Sequence, residues 1–405
     1  MDDLRVLMFG WELPPENSGG LGVACLGLSQ KLNKKGVNLT FVVPRKTEKM
    51  EKDFFDLMSA DVNYEEVVEI ESCLTPYLHP EKYKKYKSVL CEENNIYGDT
   101  LFDEVKRYRK CARKVAVHKD FDIIHAHDWL SFGAGIEAKK LTGKPLVVHV
   151  HATEFDRGGG TGVDKRVYEL EKEGLKFADK IIAVSNYTKN IIIEKYGIEE
   201  TKVEVAHNGV NIEEVPAGKS LLEPFKEAGY GIVLFVGRIT IQKGPDYFLE
   251  AARKSLDYNR NIVFVIAGSG DMEHQIMHQA SQLGISDNVI FPGFVRGDEL
   301  HGLYKAADLF VMPSVSEPFG LTPLEALTNE TPVLVSKQSG VSEVLTHALK
   351  VDFWDIDEMT NKILTTVEHN SLKKSLAQNG KKEVKEITWD PAAEKCLKIY
   401  KSLIK

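Results

Sequence analysis

Short, continuously apolar runs alternate with longer amphipathic stretches along most of the chain. In the first half the apolar runs fall at Leu4–Phe9, Asn38–Val43, Asp122–Ala126, Leu146–His151, Lys180–Val184 and Lys202–Ala206. In the second half they fall at Ile232–Val236, Ile262–Ala267, Val289–Pro292, Leu309–Met312 and Pro332–Val335. Strands with one solvated face alternate apolar and polar residues. Most of these runs do not, which is the pattern of strands covered on both faces. With amphipathic helices between them, they predict parallel sheets wound by crossover helices. Two sets of five or six such strands give an α/β fold of two doubly wound domains, and 405 residues are too many for one ordinary core.

The joint between the domains falls between Val210 and Gly231, where Pro, Gly and charged residues gather without an apolar period. The expected domains are therefore 1–212 and 213–389. A final helix around Pro391–Tyr400 carries Ala393, Leu397 and Tyr400 on one stripe. It could pack on either domain, and residues 390–405 are read as able to fold back on the first. The stretch Arg45–Asp120 is rich in Glu, Lys and Tyr and too long for an ordinary loop. It reads as a mostly helical insertion on the rim of the first domain.

Composition narrows the classes. A hydrophobic fraction of 43% and a charged fraction of 28% are those of a soluble globular protein. The net charge of −8 argues against a nucleic-acid partner, because a polyanion needs a basic surface. The basic run Lys82–Lys87 reads as a solvated helix face. Five scattered cysteines (Cys25, Cys73, Cys91, Cys111, Cys396) show no CxxC pair and no Cys/His ligand spacing. Neither a zinc site nor a disulfide framework is expected. The acidic N-terminus runs straight into a short strand, unlike a signal peptide. No apolar stretch approaches the roughly 20 residues that span a bilayer. The expected setting is reduced and cytoplasmic, with no transmembrane segment and with the oligomeric state open.

Candidate chemistry begins at the first strand–helix turn, Phe9 to Gly22, which contains Gly19, Gly20 and Gly22. Glycines there let backbone N–H groups approach a phosphate, and the helix N-terminus adds partial positive charge. Alone, the turn is equally a connection without a ligand. A dinucleotide fingerprint fails twice: Cys25 stands where the third glycine belongs, and the second strand ends Val43-Pro44-Arg45 with no acid for a ribose. Arg45 leaves NADP as the remaining dinucleotide alternative.

The second domain opens with Phe235 to Pro245, placing Arg238 just past a strand and Lys243 at the start of a helix. A guanidinium and an ammonium at the carboxyl end of a parallel strand can neutralise a diphosphate without a metal. In isolation both read as surface charges. Further on, Thr322 and Pro323 read as N-cap and first helical position. Phe319, Gly320 and Leu321 then present backbone amides to a phosphate. Glu317 in the loop can hold sugar hydroxyls, and Glu325 in the first turn can reach a ribose. Without the rest of the chain this is equally a capped helix with an incidental acid.

Three histidines stand at strand ends: His125, His127 and His151. Any one of them is more often structural than catalytic. His127-Asp128-Trp129 reads as a loop-organising cluster. His151 is the better candidate to reach a cleft, since it ends a strand before the glycine-rich, mobile-looking segment Arg157-Gly158-Gly159-Gly160. Asp120-Phe121-Asp122 spells D-x-D but precedes its strand, at the wrong end for a ligand in the crevice. It reads as solvated acids, and no metal site is expected.

Taken in order, these pieces resemble the retaining nucleotide-sugar glycosyltransferases of the GT-B fold, closest to glycosyltransferase family 4 and the glycogen and starch synthase-like enzymes. They are the Gly-Gly-Leu turn, His127-Asp128-Trp129, Val184 to Thr188, His207-Asn208-Gly209-Val210, Gly237-Arg238 with Lys243-Gly244, and Glu317 to Glu325 as E-x7-E. The resemblance implies two Rossmann-like domains facing across a cleft, with the first on the acceptor side and the second binding the donor. It implies that Gly19 and Gly20 lie near the donor diphosphate and that Arg238 and Lys243 bind it. It further implies that His151 touches the transferred sugar, Glu317 holds sugar hydroxyls, and Glu325 the ribose. Phe319, Gly320, Leu321 and Thr322 complete the donor site. Asn95 to Asp99 looks like the glycogen synthase branch. Asn17, where bacterial glycogen synthases have Lys, is a departure that bears on the donor.

The implied activity is retaining transfer of glucose from ADP- or UDP-glucose to an α-1,4-glucan, with no cofactor and no metal. The donor and a glucan or other glycosyl acceptor are the expected partners. With no well-placed carboxylate pair of the hydrolase kind, front-face substitution is expected. The alternatives are a family 4 transferase to a small-molecule or lipid acceptor, a nucleotide-sugar epimerase, a phosphorylase, and, in a different class, a non-catalytic NADP-type binding module. Acceptor specificity is assigned to Arg45–Asp120 and Thr153–Val163.

Overall fold

The computed structural model describes residues 4–11, 13–14, 19–43, 66–69, 101–160, 162–212 and 220–404. In chain order the elements begin with β1 (Leu4–Phe9), α1 (Gly20–Lys34), β2 (Val37–Val43), β3 (Glu66–Glu69), α2 (Leu101–His118), β4 (Ile123–His127) and α3 (Asp128–Thr142). Next come β5 (Leu146–Val150), α4 (Glu154–Arg157), α5 (Lys165–Phe177), β6 (Lys180–Ala183), α6 (Asn186–Tyr196) and β7 (Val203–Val205). The second half runs α7 (Glu223–Glu227), β8 (Gly231–Val236), α8 (Pro245–Tyr258), β9 (Ile262–Ala267), α9 (Glu273–Gln282), β10 (Val289–Gly293) and α10 (Asp298–Ala306). It closes with β11 (Leu309–Met312), α11 (Thr322–Thr328), β12 (Val333–Ser336), α12 (Val341–Val344), β13 (Leu349–Val351), α13 (Ile356–Glu368), α14 (Asn370–Val384) and α15 (Trp389–Leu403).

The chain divides into two compact units. One comprises Met1–Thr153, Asp164–Gly209 and Trp389–Lys405; the other comprises Glu154–Val163 and Val210–Thr388. This grouping differs from the bounds 1–212 and 213–389 chiefly at Glu154–Val163, which goes with the second unit. Each unit has one all-parallel sheet. The first has strand order β3-β2-β1-β4-β5-β6-β7 and the second β10-β9-β8-β11-β12-β13. Both contain the 3-2-1-4-5-6 order of a doubly wound Rossmann-like fold.

All eleven apolar runs form strands, with ends moved by a residue or two. Two further strands, β3 and β13, join the sheet edges. β3 lies inside the stretch read as mostly helical, of which residues 45–65 and 70–100 lie outside the described residues. Its sequence, EVVE, has only two apolar residues, and β13 is only three residues long, so neither carries a periodic signal.

In the first unit, Tyr108 of α2 is fully buried and its hydroxyl donates to the carbonyls of Gly10 (2.9 Å) and Val42 (3.1 Å). That pair of bonds pins the carboxyl ends of β1 and β2. α15 packs against α1, with Trp389, Ala393, Cys396, Ile399 and Tyr400 buried and Lys31 donating to Asp390 at 2.7 Å. The buried stripe thus includes Cys396 and Ile399, while Leu397 is half-buried. In the second unit, Phe248 sits between Phe235 and Phe264 with ring centroids 5.8 and 5.7 Å away. Such pairs add about 0.5–1.5 kcal/mol each to the burial of the rings themselves. They lock α8 onto β8 and β9, and α8 begins where the candidate cations stand.

Candidate functional site

In each sheet the strand order reverses at one place, between β1 and β4 in the first unit and between β8 and β11 in the second. Ligands of open parallel sheets bind beyond the carboxyl ends of the strands at such a point. The candidate residues of the second unit follow β8 and β11, and those of the first follow β1, β4 and β5.

In the second unit Arg238 lies two residues past β8 and is exposed, with its guanidinium donating to the Gln242 side chain at 3.3 Å. The Gln242 carbonyl accepts from Val315 N–H at 2.9 Å, joining this loop to the one after β11. Lys243 donates through Nζ to Oε2 of Glu317, and their side chains are 21% and 8% exposed. Ser314 Oγ donates to the same carboxylate oxygen at 3.2 Å. A nearly buried carboxylate is thereby held by an ammonium and a hydroxyl, as burial of a charge requires. Gly244, next in the chain, has φ +64, and a Cβ there would stand 2.3 Å from the Pro313 carbonyl oxygen. Only glycine permits this approach of the two loops.

Glu317 is also fixed through its backbone. Its N–H donates to Gln338 at 2.9 Å and its carbonyl accepts from Gly340 at 3.0 Å, while the Phe319 carbonyl accepts from Val341 at 2.7 Å. Phe319 is buried, so its ring belongs to the core. Gly320 has φ +102, which turns the chain into α11. That helix starts one residue earlier than the sequence suggests: Leu321 is the N-cap and Thr322 the first helical residue, with no side-chain cap. The amides of Gly320, Leu321 and Thr322 donate to no group among the described residues. Glu325 accepts from the buried Tyr304 hydroxyl at 3.0 Å, and burial raises its carboxyl above the usual range.

Two further groups here went unread in the sequence. Among the described residues the buried Oδ1 of Asp246, in the first turn of α8, has no hydrogen-bond partner, and burial raises its carboxyl. Asp156 of α4 accepts from Ser316 Oγ at 2.5 Å, and both are buried. The glycine run expected to be a mobile loop follows this short helix. Gly158, Gly159 and Gly160 donate to Glu154, Asp156 and Phe155 and so close its end. Glycine composition says loop; the backbone bonds it makes are those of a helix terminus.

In the first unit Gly19 is the N-cap of α1 and Gly20 its first residue, and both are exposed. No acidic residue lies in the first turn, and a Cβ on Gly20 would meet nothing within 4 Å. His151 follows β5 and is half-buried. His127 and His149 are register partners on β4 and β5, so His125, His127, His149 and His151 share one sheet face. Their rings stack with centroids 4.4 Å apart along each strand and 5.2 Å across it. His127 Nδ1 and His151 Nε2 are hydrogen-bonded at 2.9 Å.

Burial first, and neighbouring imidazoles second, hold His125, His127 and His149 well below their usual value; burial pushes His151 down to about 3. Asp128 organises the turn, as read: it has φ +57, and its Oδ1 accepts from His151 N–H at 2.6 Å. His149, on the same face, was not singled out, because its strand reads only as an apolar run. Cys25 of α1 is drawn in too: its sulfur and ring nitrogens of His127 and His151 lie within 4.8 Å of one another. That group spans α1, β4 and β5, so no local spacing reveals it.

The D-x-D acids lie at the opposite end of β4. Asp122 accepts from the Arg5 backbone and guanidinium at 3.0 Å, and Asp120 is 94% exposed. Among the described residues Cys25, Cys111 and Cys396 form no disulfide, and no helix is long and apolar enough to cross a membrane.

Comparison with known proteins is consistent along the chain. Residues 18–214 match the model of Glycosyltransferase Family 4, and residues 223–383 that of Glycosyl transferases group 1. An uncharacterised glycosyltransferase of Methanocaldococcus jannaschii is 31% identical, covering 98% of this chain and 98% of its own. A D-inositol 3-phosphate glycosyltransferase of Salinispora arenicola is 29% identical over 71% of this chain and 70% of its own. A glycogen synthase of Mycobacterium tuberculosis is 26% identical over 84% and 80%. Among solved structures, Anabaena HepE in complex with UDP and glucose has a TM-score of 0.73 at 17% identity, covering 99% of this chain and 100% of its own. At that identity the likeness concerns the fold.

Proposed function

From the premise that this chain belongs to the glycosyltransferases of GT-B type, we propose that it moves glucose from ADP- or UDP-glucose to an α-1,4-glucan with retention of configuration. The observation that carries the reading is the Lys243–Glu317 pair beside Arg238, at the carboxyl ends of β8 and β11. Arg238 and Lys243 clamp the diphosphate, and the amides of Gly320, Leu321 and Thr322 add donors. Phe319 anchors the loop that carries them. Glu317 receives the sugar hydroxyls and Glu325 the ribose. In the first unit Gly19 and Gly20 approach the diphosphate, and His151 the sugar.

A nucleoside diphosphate is already a fair leaving group, so the main task is to stabilise charge as the glycosidic bond breaks. Two cations and three amides suit that task without a metal. Glu317 is tied to Lys243 and Ser314, which blunts it as a nucleophile. This supports front-face substitution, with the departing phosphate oxygen taking the acceptor hydroxyl proton. A reduced, cytoplasmic setting goes with this reading.

The test is a donor panel of ADP-, UDP- and GDP-sugars with and without glycogen or maltooligosaccharides, following nucleotide release in EDTA. Glucan-dependent release from a glucose donor, with an α-anomeric product by NMR, is expected. Loss in EDTA restored by magnesium would remove the cation clamp, and an inverted product would remove front-face substitution. The Salinispora relative favours a second reading, a small phosphorylated acceptor. Release that needs an inositol phosphate instead of glucan would establish it.

A further inference from the structure

The histidine cluster of the first unit contains more ligand capacity than its hydrogen bonds use. Four neutral imidazoles offer four lone pairs. Among the described residues only two hydrogen bonds reach them, His127 Nδ1 to His151 Nε2 at 2.9 Å and His125 Nδ1 with the Tyr400 hydroxyl. At most two lone pairs are therefore used, whatever the tautomers. His149 is 1% exposed, and neither of its ring nitrogens has a partner among the described residues. Unpartnered buried nitrogens of this kind call for a ligand or another specific explanation.

Cys25 adds a thiol to this face, within 4.8 Å of the His127 and His151 nitrogens. We propose that Cys25, His127 and His151 form a site for one borderline-soft divalent cation of the zinc class, with the fourth position left to solvent. Thiolate with imidazole is a zinc-type set, and the thiolate charge offsets part of the dication in a buried place. The alternative trio of His125, His127 and His149 lacks that charge and is fully buried. His151 is half-buried and gives the cation a route in.

The two ring nitrogens that face each other at 2.9 Å are close to the separation of about 3.3 Å that two ligands of one tetrahedral zinc adopt. The cation replaces the hydrogen bond between them. The proton they share moves to an outer ring nitrogen, each ring stays neutral, and Cys25 releases its proton to solvent, one per cation bound. On the transfer reading an occupied site takes His151 away from the sugar and inhibits. The binding experiment does not depend on that reading.

Tag-free, chelator-stripped protein is titrated with Co²⁺ and then Zn²⁺. One equivalent of cobalt is expected to give tetrahedral visible bands and a near-ultraviolet sulfur-to-cobalt band, with one proton released; one equivalent of zinc bleaches both. Cys25→Ser is expected to lose the sulfur band and at least about tenfold in affinity. No saturable uptake, or an unchanged sulfur band in Cys25→Ser, overturns the site. If that variant does not fold, zinc K-edge absorption on the wild-type chain decides. One sulfur with two nitrogens supports the site, and a sulfur-free shell overturns it.

Discussion

The Lys243 ammonium donates to the Glu317 carboxylate, and with side chains 21% and 8% exposed the two charges neutralise each other away from most of the solvent. On the proposed reading, a diphosphate at Lys243 would take over part of that ion pair and free Glu317 for other donors such as sugar hydroxyls. The two residues should therefore act as a unit. Lys243→Ala is expected to lose about 3–4 kcal/mol of transition-state stabilisation, a fall of about 10²–10³ in kcat/KM. Glu317→Ala should cost a similar amount, and the double variant little more than either. Steady-state kinetics on the four proteins give the coupling. Losses that add to within about 0.5 kcal/mol would mean that the pair does not act together.

Gly20 tests the other unit. A Cβ there meets nothing within 4 Å, so Gly20→Ala should fold as well as wild type or better, by up to about 1 kcal/mol in a helix. A donor diphosphate at the start of α1 would nevertheless feel the added methyl. The expected outcome is an unchanged or raised Tm with a several-fold rise in donor KM. An unchanged KM would take the diphosphate away from Gly20.

How much of this was legible in the sequence depends on whether the signal was local. Eleven strands showed as apolar runs: nine lie inside their sheets with both faces covered, while the edge strands β7 and β10 are only partly buried. Their order along the chain sufficed for two doubly wound sheets. β3 and β13 are too short or too polar to stand out. Lys243 and Arg238 could be named because each sits near a strand end or helix start, and Glu317 because it precedes the helix start at Thr322 within E-x7-E. Their pairing could not, since 74 residues separate Lys243 from Glu317. The same holds more strongly for Cys25 with His127 and His151, where three elements converge and no spacing rule applies. Asp156 was missed because a glycine run follows it and reads as loop, whereas its partner Ser316 lies 160 residues away.

Asp122 carries a prediction about acid. Hydrogen bonds from Arg5 lower its carboxyl below the usual value. A carboxylate depressed in the folded state adds stability above its unfolded value, near 3.9, and that stability fades as pH falls through the lower folded value. Asp122→Asn should therefore lower the Tm at pH 7 by roughly 2–4 °C, with the gap to wild type closing toward pH 2. A gap that stays constant with pH would assign the effect to shape rather than charge.

Glu325 shifts the opposite way, and it separates stability from function. Burial raises its carboxyl, with the Tyr304 hydroxyl and His301 opposing. A group raised in the folded state binds its proton there at pH values where the unfolded chain, near 4.3, has released it. Stability from this source is present at low pH and is lost as pH rises, so at pH 7, above the unfolded value, the buried acid is a net cost. Glu325→Gln removes the charge and keeps an oxygen for the Tyr304 hydroxyl, which donates at 3.0 Å. The variant is expected to melt a few degrees higher than wild type at pH 7 and to match it near pH 4. If the carboxylate holds the donor ribose, the same change raises donor KM about tenfold, since a charged acceptor is worth roughly 1.5 kcal/mol or more. Melting curves across pH read the first effect and donor kinetics the second. A lower Tm at pH 7 would show that the contacts of the carboxylate outweigh its burial, and an unchanged KM would remove the ribose from Glu325.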